Sequence, residues 1–215
     1  MNKKERFIAF TDYFKDAFPE PETELNYSNP FELVVAVVLS AQCTDVRINK
    51  VTPALFERFP DPVAMSLGTF DEIFALIRSV SYPNNKSKHL MSLSKMLVED
   101  FGGEVPATIE ELQKLQGVGR KTANVVVSVL YNQPAMAVDT HVFRVSKRLG
   151  LVTQTAKTPL EVEKQLIRHI PDEYIPKAHH WLILHGRYVC LARKPKCEDC
   201  KITSFCRYWE KLPKQ

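Results

Sequence analysis

The stretch Glu111-Leu-Gln-Lys-Leu-Gln-Gly-Val-Gly-Arg-Lys-Thr-Ala-Asn-Val-Val-Val-Ser-Val-Leu130 combines two helical segments with a glycine-containing turn between them. Gly117 and Gly119 allow positive φ and close approach of the backbone to another molecule. The second helix is predicted to begin near Arg120, and its first N–H groups have no partner inside the helix. Helix starts of this kind bind phosphate well. Many helix pairs turn on glycine, but here Arg120 and Lys121 also stand where an anion would bind.

Helix-start signals recur outside this hairpin. Three segments fit the capping box, in which a Thr hydroxyl and a Glu carboxylate satisfy free backbone N–H groups: Thr69-Phe-Asp-Glu72, Thr108-Ile-Glu-Glu111 and Thr158-Pro-Leu-Glu161. Asn29-Pro30 opens a helix that is apolar nearly all round and runs to Ala41, so it is expected at the centre of a bundle. Gly150 is predicted to end a helix that starts near Asp139, and Asn132 to end the helix before it. Together with the lack of alternating strand patterns, these signals predict an all-α protein of about ten helices.

The composition is that of an ordinary folded protein. The 215 residues have a net charge of +4 and are 45% hydrophobic, which permits a nucleic-acid partner without demanding one. The longest apolar run, Leu33 to Leu39, is far shorter than the ~18 residues of a spanning helix, and no signal peptide is visible. We therefore expect no membrane association, a place in the cytoplasm, and cysteines that act as thiols or metal ligands rather than disulfides.

Positive charge concentrates near the C-terminus. From His185 to Gln215 there are eight basic residues against three acids, Glu198, Asp199 and Glu210; the basic residues are Arg187, Arg193, Lys194, Lys196, Lys201, Arg207, Lys211 and Lys214. This excess indicates either a surface that contacts phosphates or simply a solvated tail.

Four of the five cysteines lie close together in the sequence. Cys190, Cys197, Cys200 and Cys206 can enclose either a tetrahedral zinc ion or a [4Fe–4S] cluster. Zinc sites usually show two short pairs, whereas only one pair is short here, which favours a cluster slightly. The loop between the first two cysteines contains three cations, among them Arg193 and Lys194, and no acid. Cys43 is expected inside the apolar helix as a packing residue.

Lys121 falls in the first turn of its predicted helix. The positive end of the helix dipole and the neighbouring Arg120 both disfavour an ammonium group there. A neutral amine is the form needed for nucleophilic attack. The alternative is a lysine that only binds phosphate.

Asp139 is predicted at the start of a helix after the Gln133-Pro134 joint. Asp is a favoured N-cap, and most such residues do only that. In an apolar pocket with the amine of Lys121, however, this carboxylate would make an acid/base pair. His141 could contact phosphate or be structural, and packing or surface roles are favoured over metal binding for His179, His180 and His185.

Taken together, these residues resemble the endonuclease III family. The matching segments, in sequence order from about Phe31 to Cys206, are Leu39-Ser-Ala-Gln-Cys-Thr-Asp-Val46, Leu115-Gln-Gly-Val-Gly-Arg-Lys-Thr-Ala-Asn-Val-Val127, Val138-Asp-Thr-His-Val-Phe-Arg-Val145, His180-Trp-Leu-Ile-Leu-His-Gly-Arg-Tyr188 and Cys190-x6-Cys-x2-Cys-x5-Cys206. The resemblance implies two helical domains flanking a DNA-binding cleft. One is a six-helix domain at 23–134 with the helix–hairpin–helix at about 109–131. The other joins 1–22 to 135–215 and contains a [4Fe–4S] loop at 190–206.

The resemblance also implies an activity. The chain would be a DNA glycosylase and abasic-site lyase of base excision repair that acts as a monomer on duplex DNA at the bacterial nucleoid. Its substrates would contain damaged pyrimidines or abasic sites. Lys121 would attack the sugar and form a Schiff base, Asp139 would assist, and β-elimination would cut the strand on the 3′ side. Arg120, Gly117, Gly119, His141, Arg193 and Lys194 would contact the DNA.

Two residues match positions that fill the gap left by a flipped base. One is Gln42, and the other is Tyr82. The family usually has Gly-Leu-Tyr-Asn where this chain has Ser81-Tyr-Pro-Asn84, and Gln116 replaces a proline before the hairpin.

Two rival functions remain from the sequence. An adenine-mismatch glycosylase shares the hairpin and the cluster but typically lacks a lysine at position 121 and has a further C-terminal domain. A non-catalytic DNA-binding module would use hairpin and loop only to bind phosphates; the pairing of Lys121 with Asp139 argues against it.

Overall fold

The computed structural model describes residues 1–213, which form twelve α-helices, two short 3-10 helices and no strand. The α-helices are α1 (Lys3–Ala17), α2 (Pro30–Ser40), α3 (Asp45–Arg58), α4 (Pro62–Ser66), α5 (Phe70–Ile77), α6 (Pro83–Phe101), α7 (Ile109–Leu112), α8 (Arg120–Tyr131), α9 (Thr140–Leu149), α10 (Pro159–Ile167), α11 (Ile175–Tyr188) and α12 (Arg207–Glu210). The all-α prediction is confirmed. The helices exceed the predicted number because α4, α7 and α12 have only four or five residues.

The chain divides into two compact units. The central unit is Thr23–Tyr131 and contains α2 to α8, one segment more than the six helices predicted. The terminal unit joins Met1–Glu22 to the chain from Asn132 onward. The boundary lies after Tyr131 and not after Pro134, because α8 ends at Tyr131 and Asn132 then takes a φ of 50°. Lys214, which the sequence places in the basic C-terminal stretch, lies outside the described residues.

Four of the helices with eight or more residues begin at a side-chain cap that the sequence predicts: Asn29, Thr69, Asp139 and Thr158. Thr69 and Glu72 form a complete capping box. Thr108 and Thr158 accept from the backbone N–H three residues later, as expected. The Glu161 carboxylate, however, accepts from the N–H of Lys157 at 2.7 Å instead of from the cap residue. Local hydrogen-bonding chemistry therefore sets these helix starts.

Helix α2 is the core of the central unit. All nine residues from Phe31 to Leu39 are buried, and the helix packs against α3, α6 and α8. The apolar pattern thus predicts its central position correctly. It does not predict the end: α2 stops at Ser40, so the expectation that Cys43 lies inside the helix is wrong. Cys43 is half-buried in the turn that follows the helix. Its N–H donates to Ser40 O at 3.0 Å and so closes that turn.

The terminal unit packs α9 against α11, with α1, α10 and α12 around them. Trp181 on α11 is 1% exposed, contacts Phe10 and Phe14 of α1, and donates its indole N–H to Phe18 O at 2.8 Å. Truncating such a buried aromatic costs about 3–5 kcal/mol. The N-terminal helix is therefore an integral part of this unit.

Over residues 1–213, none of the helices combines the length and the apolar character needed to cross a bilayer.

Candidate functional site

The hairpin turn between α7 and α8 depends on Gly117. Its φ is +81°, and a Cβ there would lie 3.0 Å from both Cβ and Nδ1 of His89 on α6. Gly119 has a different role: it is not among the residues with positive φ, and a Cβ added to it would meet nothing within 4 Å. Its carbonyl accepts from Ala123 N at 2.9 Å and so begins α8. Only Gly117 therefore meets the prediction of positive φ, while Gly119 keeps the surface in front of α8 open.

We expect Gly117→Ala to lower the free energy of unfolding by about 1–3 kcal/mol, because both the backbone conformation and the contact with His89 disfavour a side chain. Gly119→Ala is the matched control and should change stability by less than about 0.5 kcal/mol, since its Cβ has space. Urea denaturation of both variants measures this. Equal destabilisation by the two substitutions would contradict the assignment of the turn to Gly117.

Lys121 is in the first turn of α8, as predicted. Both Lys121 and Arg120 are exposed. The opposite face of the helix, with Ala123, Val126 and Val127, is buried and packs on α2. Because the core anchors that face, the start of α8 projects its two cations outward. The amine of Lys121 is thus accessible instead of being enclosed by apolar side chains of its own unit.

Gln42 and Tyr82 both have left-handed backbone conformations that glycine normally takes, with φ of 55° in each case. Gln42 is the third residue of the turn closed by Cys43 N and Ser40 O. Ala41 before it has φ −56° and ψ 115°, so the turn is type II. Tyr82 precedes Pro83, the first residue of α6, and residues before proline are normally extended. Both side chains are exposed, Tyr82 at 62%. Strained, exposed residues of this kind concentrate at functional sites.

Asp139 is the N-cap of α9. One carboxylate oxygen accepts from the N–H of Val142 at 2.7 Å, and the residue is half-buried. The capping interpretation is therefore correct, and it occupies one of the two carboxylate oxygens.

His141, in the first turn of α9, packs tightly in the terminal unit. Its ring atom Nδ1 lies 3.2 Å from Nη2 of Arg144, and its Cβ would be 2.9 Å from a Cβ built on Gly186 of α11. Because glycine at position 186 leaves this space open, His141 fits against α11. The other histidines named from the sequence are also packed: His179 Nδ1 lies 2.8 Å from Ala137 O, and burial lowers the pKa of His180 and His185 to about 4.

The four C-terminal cysteines lie in one loop of the terminal unit and none is in a disulfide. Cys190 and Cys206 are buried, while Cys197 and Cys200 are half-buried. Burial raises the pKa of the thiols of Cys197, Cys200 and Cys206, and the other thiols nearby raise it further. A bound metal centre would hold the thiols as thiolates and so offset both effects.

The donor set of the loop fits an iron–sulfur cluster. All four candidate ligands are cysteine thiols, and a [4Fe–4S] cluster is bound by four thiolates. As placed in residues 1–213, the side chains do not form a group of three or more His, Cys, Asp or Glu that could hold a metal ion.

Two arginines of α9 hold the loop at its first cysteine. Arg144 donates to the carbonyls of Gly186 and Cys190 at 2.8 and 3.2 Å. Arg148 donates to Leu191 O at 2.6 Å and Ala192 O at 2.9 Å, and its Nη1 lies 3.4 Å from Cys190 Sγ. The helix that Asp139 caps is thus bonded directly to the cysteine loop.

Arg193 and Lys194 are exposed in the segment between Cys190 and Cys197. Lys194 takes a φ of 49°, a sharp local bend in the backbone. The structure places these two residues in the terminal unit with Asp139, His141 and the four cysteines. The central unit contains Gln42, Tyr82, Gly117, Gly119, Arg120 and Lys121.

Four residues with structural roles at the site were not predicted from the sequence. Arg144 and Arg148 hold the cysteine loop, while Ser81 and Lys86 donate hydrogen bonds to backbone carbonyls at the end of α2 and in the turn that contains Gln42. A signal existed for Lys86, because it shares the buried face of α6 with Leu90, Leu93 and Leu97. A lysine at helical spacing with leucines indicates a buried, partnered cation.

Comparisons with known proteins agree with this geometry. The family model described as HhH-GPD superfamily base excision DNA repair protein matches residues 35–172, and that for the iron–sulfur binding domain of endonuclease III matches residues 190–206. Endonuclease III of Bacillus subtilis is 52% identical over 95% of this chain and 93% of its own length. Endonuclease III of Escherichia coli K12 is 44% identical over 99% of both chains.

Solved structures give the same result. A trapped endonuclease III–DNA covalent intermediate superposes with a TM-score of 0.91 at 46% identity, covering 98% of this chain and 99% of that one. A thermostable thymine-DNA glycosylase, 21% identical and covering 98% of each chain, has a TM-score of 0.85 and shares the fold.

A glycine hairpin followed by a cationic helix start, in an all-helical chain matched over 35–172, defines a base excision DNA repair protein of the HhH-GPD superfamily. Within that superfamily the chain belongs to the endonuclease III family. It is accordingly a repair enzyme, a DNA glycosylase with abasic-site lyase activity, and its cofactor is a [4Fe–4S] cluster. The resemblance and the cofactor predicted from the sequence are confirmed.

Proposed function

We propose that this chain excises oxidised pyrimidines from duplex DNA through a Schiff base on Lys121 and then cuts the strand 3′ to the lesion by β-elimination. The observation that supports this most is the exposed amine of Lys121 in the first turn of α8, immediately after the glycine turn. The 46% identical relative was trapped as a covalent intermediate with DNA, as a lysine nucleophile would predict.

DNA binding begins at the hairpin. The N–H groups at the start of α8 and the guanidinium of Arg120 bind backbone phosphates, and Gly117 and Gly119 let the strand approach the turn. Arg193 and Lys194 bind phosphate from the terminal unit, as does His141. Through these contacts a single protein monomer holds the duplex while the damaged nucleotide leaves the base stack.

Flipping the nucleotide out of the duplex costs about a few kcal/mol of stacking free energy. Gln42 and Tyr82 fill the space that it leaves. Lys121 Nζ attacks the sugar C1′; the new C–N bond forms as the bond between C1′ and the base breaks. The base leaves with that electron pair and takes up a proton. Asp139 stabilises the positive charge that develops on the sugar and assists the proton transfers.

The lyase step follows from the same adduct. Opening of the sugar ring gives a protonated Schiff base between Lys121 and C1′, which acidifies the hydrogens on C2′. A base removes one of them, the electron pair forms a C2′–C3′ double bond, and the C3′–O bond breaks. The 3′ phosphate leaves, and water later releases the lysine.

Cys190, Cys197, Cys200 and Cys206 are the ligands that we assign to the [4Fe–4S] cluster. With the cluster held by these four thiolates, the cysteine loop would be cross-linked and the segment that contains Arg193 and Lys194 would be stiffer. The two cations would then face phosphate as one surface.

Borohydride trapping tests the proposal. Native protein mixed with duplex DNA containing an abasic site should form a covalent adduct in the presence of borohydride, since the hydride reduces the Schiff base to a stable amine. Lys121→Ala should form none, while Lys114→Ala, which removes a lysine before the turn, should trap as native protein does. Absence of an adduct with native protein, or undiminished trapping by Lys121→Ala, would overturn the lysine mechanism.

A further inference from the structure

Two hydrogen-bond donors flank Tyr82 and reach the turn that contains Gln42. Ser81 donates its hydroxyl to Gln42 O at 2.7 Å. Lys86, on the first turns of α6, donates its ammonium group to Leu39 O and Ala41 O, both at 2.8 Å. Gln42 and Tyr82, the two residues proposed to fill the gap left by the flipped nucleotide, form the wedge pair.

These bonds fix the backbone of Gln42 from both sides. The carbonyl of Ala41 belongs to the peptide plane before Gln42, and Lys86 holds it. The carbonyl of Gln42 belongs to the plane after it, and Ser81 holds that one. Because φ and ψ of a residue are set by these two planes, the two donors define the left-handed conformation in which Gln42 is found.

Lys86 is suited to this position. It is 5% exposed, and burial lowers its pKa, so its charge needs close partners. Helix α2 ends at Ser40, and the carbonyls near a helix C-terminus present partial negative charge. The buried ammonium therefore stabilises the end of α2 and orients the turn in the same contact.

Tyr82 is constrained by its own neighbours. Its left-handed φ of 55° and ψ of 50° are followed by Pro83, whose ring limits the conformations of the preceding residue. The carbonyl of Tyr82 accepts from Lys86 N at 3.1 Å in the first turn of α6. Lys86 thus bonds to Tyr82 through its backbone and to the Gln42 turn through its side chain.

We infer that Ser81 and Lys86 are positioning residues that hold the wedge pair as one preformed unit, so that both side chains are ordered before they enter DNA. This rests on the proposed role of Gln42 and Tyr82 in filling the gap. The hydroxyl of Ser81 is the side-chain donor through which this segment reaches Gln42 O.

Removing the hydroxyl should weaken DNA binding and leave the chemistry unchanged. Preorganisation lowers the entropy that is lost on binding, so its loss raises Kd and KM, whereas Lys121 acts equally well once DNA is bound. We expect Ser81→Ala and Ser81→Gly to raise Kd for abasic-site duplex about three- to tenfold, with kcat within about twofold of native. Ser81→Thr retains the donor and should restore the native Kd.

Insertion of the wedge pair into DNA is measured separately. A duplex with 2-aminopurine opposite the abasic site reports unstacking by its fluorescence. At a protein concentration that saturates the DNA, the Ser81→Ala variant should give a smaller rise in fluorescence than native protein. Ser81→Thr should give the same rise as native protein. Lys86→Met should shift Kd in the same direction and further, with thermal unfolding recorded alongside because the buried carbonyls lose their donor.

The outcomes distinguish this inference from the proposed function. Native Kd and native fluorescence in both Ser81→Ala and Ser81→Gly would overturn it, as would a fall in kcat at unchanged KM. If Gln42→Ala and Tyr82→Ala leave Kd unchanged while Lys121 still traps with borohydride, the wedge pair is wrongly assigned and the inference fails, but the lysine mechanism stands. Failure of trapping in native protein removes the proposed function itself.

Discussion

Replacing Asp139 by Asn should slow base release about a hundred- to ten-thousandfold while the protein remains folded. Asp and Asn are equally good N-caps, so the bond to Val142 N can persist and stability should change by no more than about 1 kcal/mol. The negative charge, in contrast, is lost, and with it the group proposed to stabilise the sugar cation and assist proton transfer. Single-turnover base release from a duplex containing an oxidised pyrimidine measures the rate, and thermal unfolding measures the cap.

Asp139→Ala completes the comparison. It removes both cap and charge and should therefore match the Asp139→Asn variant in rate but lose about a further 1 kcal/mol of stability. If Asp139→Asn retains the native rate within about tenfold, Asp139 only caps α9, which is the role that its hydrogen bond alone establishes.

The sequence predicted best those features of the fold that depend on neighbouring residues. The caps at Thr69 and Asn29 and the stop at Gly150, with φ +82°, require only side chains a few positions apart. The end of α2 was missed for a physical reason. Its type II turn has Gln42 where glycine is expected, so the sequence contained no turn signal, and the apolar run continued past the true end.

The functional residues divide in a similar way. Helix position and ligand spacing single out Lys121, Asp139 and the four cysteines as candidates, and the family resemblance supplies the roles proposed for them. The residues that support them could not be named from the sequence. Arg144 and Arg148 bond to groups more than forty positions away, and Ser81 reaches Gln42 across 39 positions. Partners this distant are brought together only by tertiary packing, which leaves no periodic signal.

Arg148 illustrates how strongly such a residue can matter, since it contacts both ends of the cysteine loop. Besides its bonds to Leu191 O and Ala192 O, its backbone carbonyl lies 3.8 Å from Cys206 Sγ. The central carbon of its guanidinium lies over the ring of Tyr208, 5.0 Å from the ring centroid. We expect Arg148→Met to destabilise the terminal unit by about 2–4 kcal/mol, because two carbonyls lose a charged donor, and to lower the iron bound per chain.

Iron and acid-labile sulfide per chain, measured on anaerobically purified protein, test this expectation directly. Arg58→Met is the matched control, because Arg58 lies on α3 of the central unit and pairs with Glu72 at the surface. It should retain the native iron content, whereas Arg148→Met should lose iron faster when a chelator is added. Arg148→Lys separates charge from geometry: a single ammonium cannot reproduce the forked contacts of a guanidinium, so it should rescue only part of the iron content. Native iron content and native unfolding in Arg148→Met would show that the cysteines hold the cluster without support from Arg148.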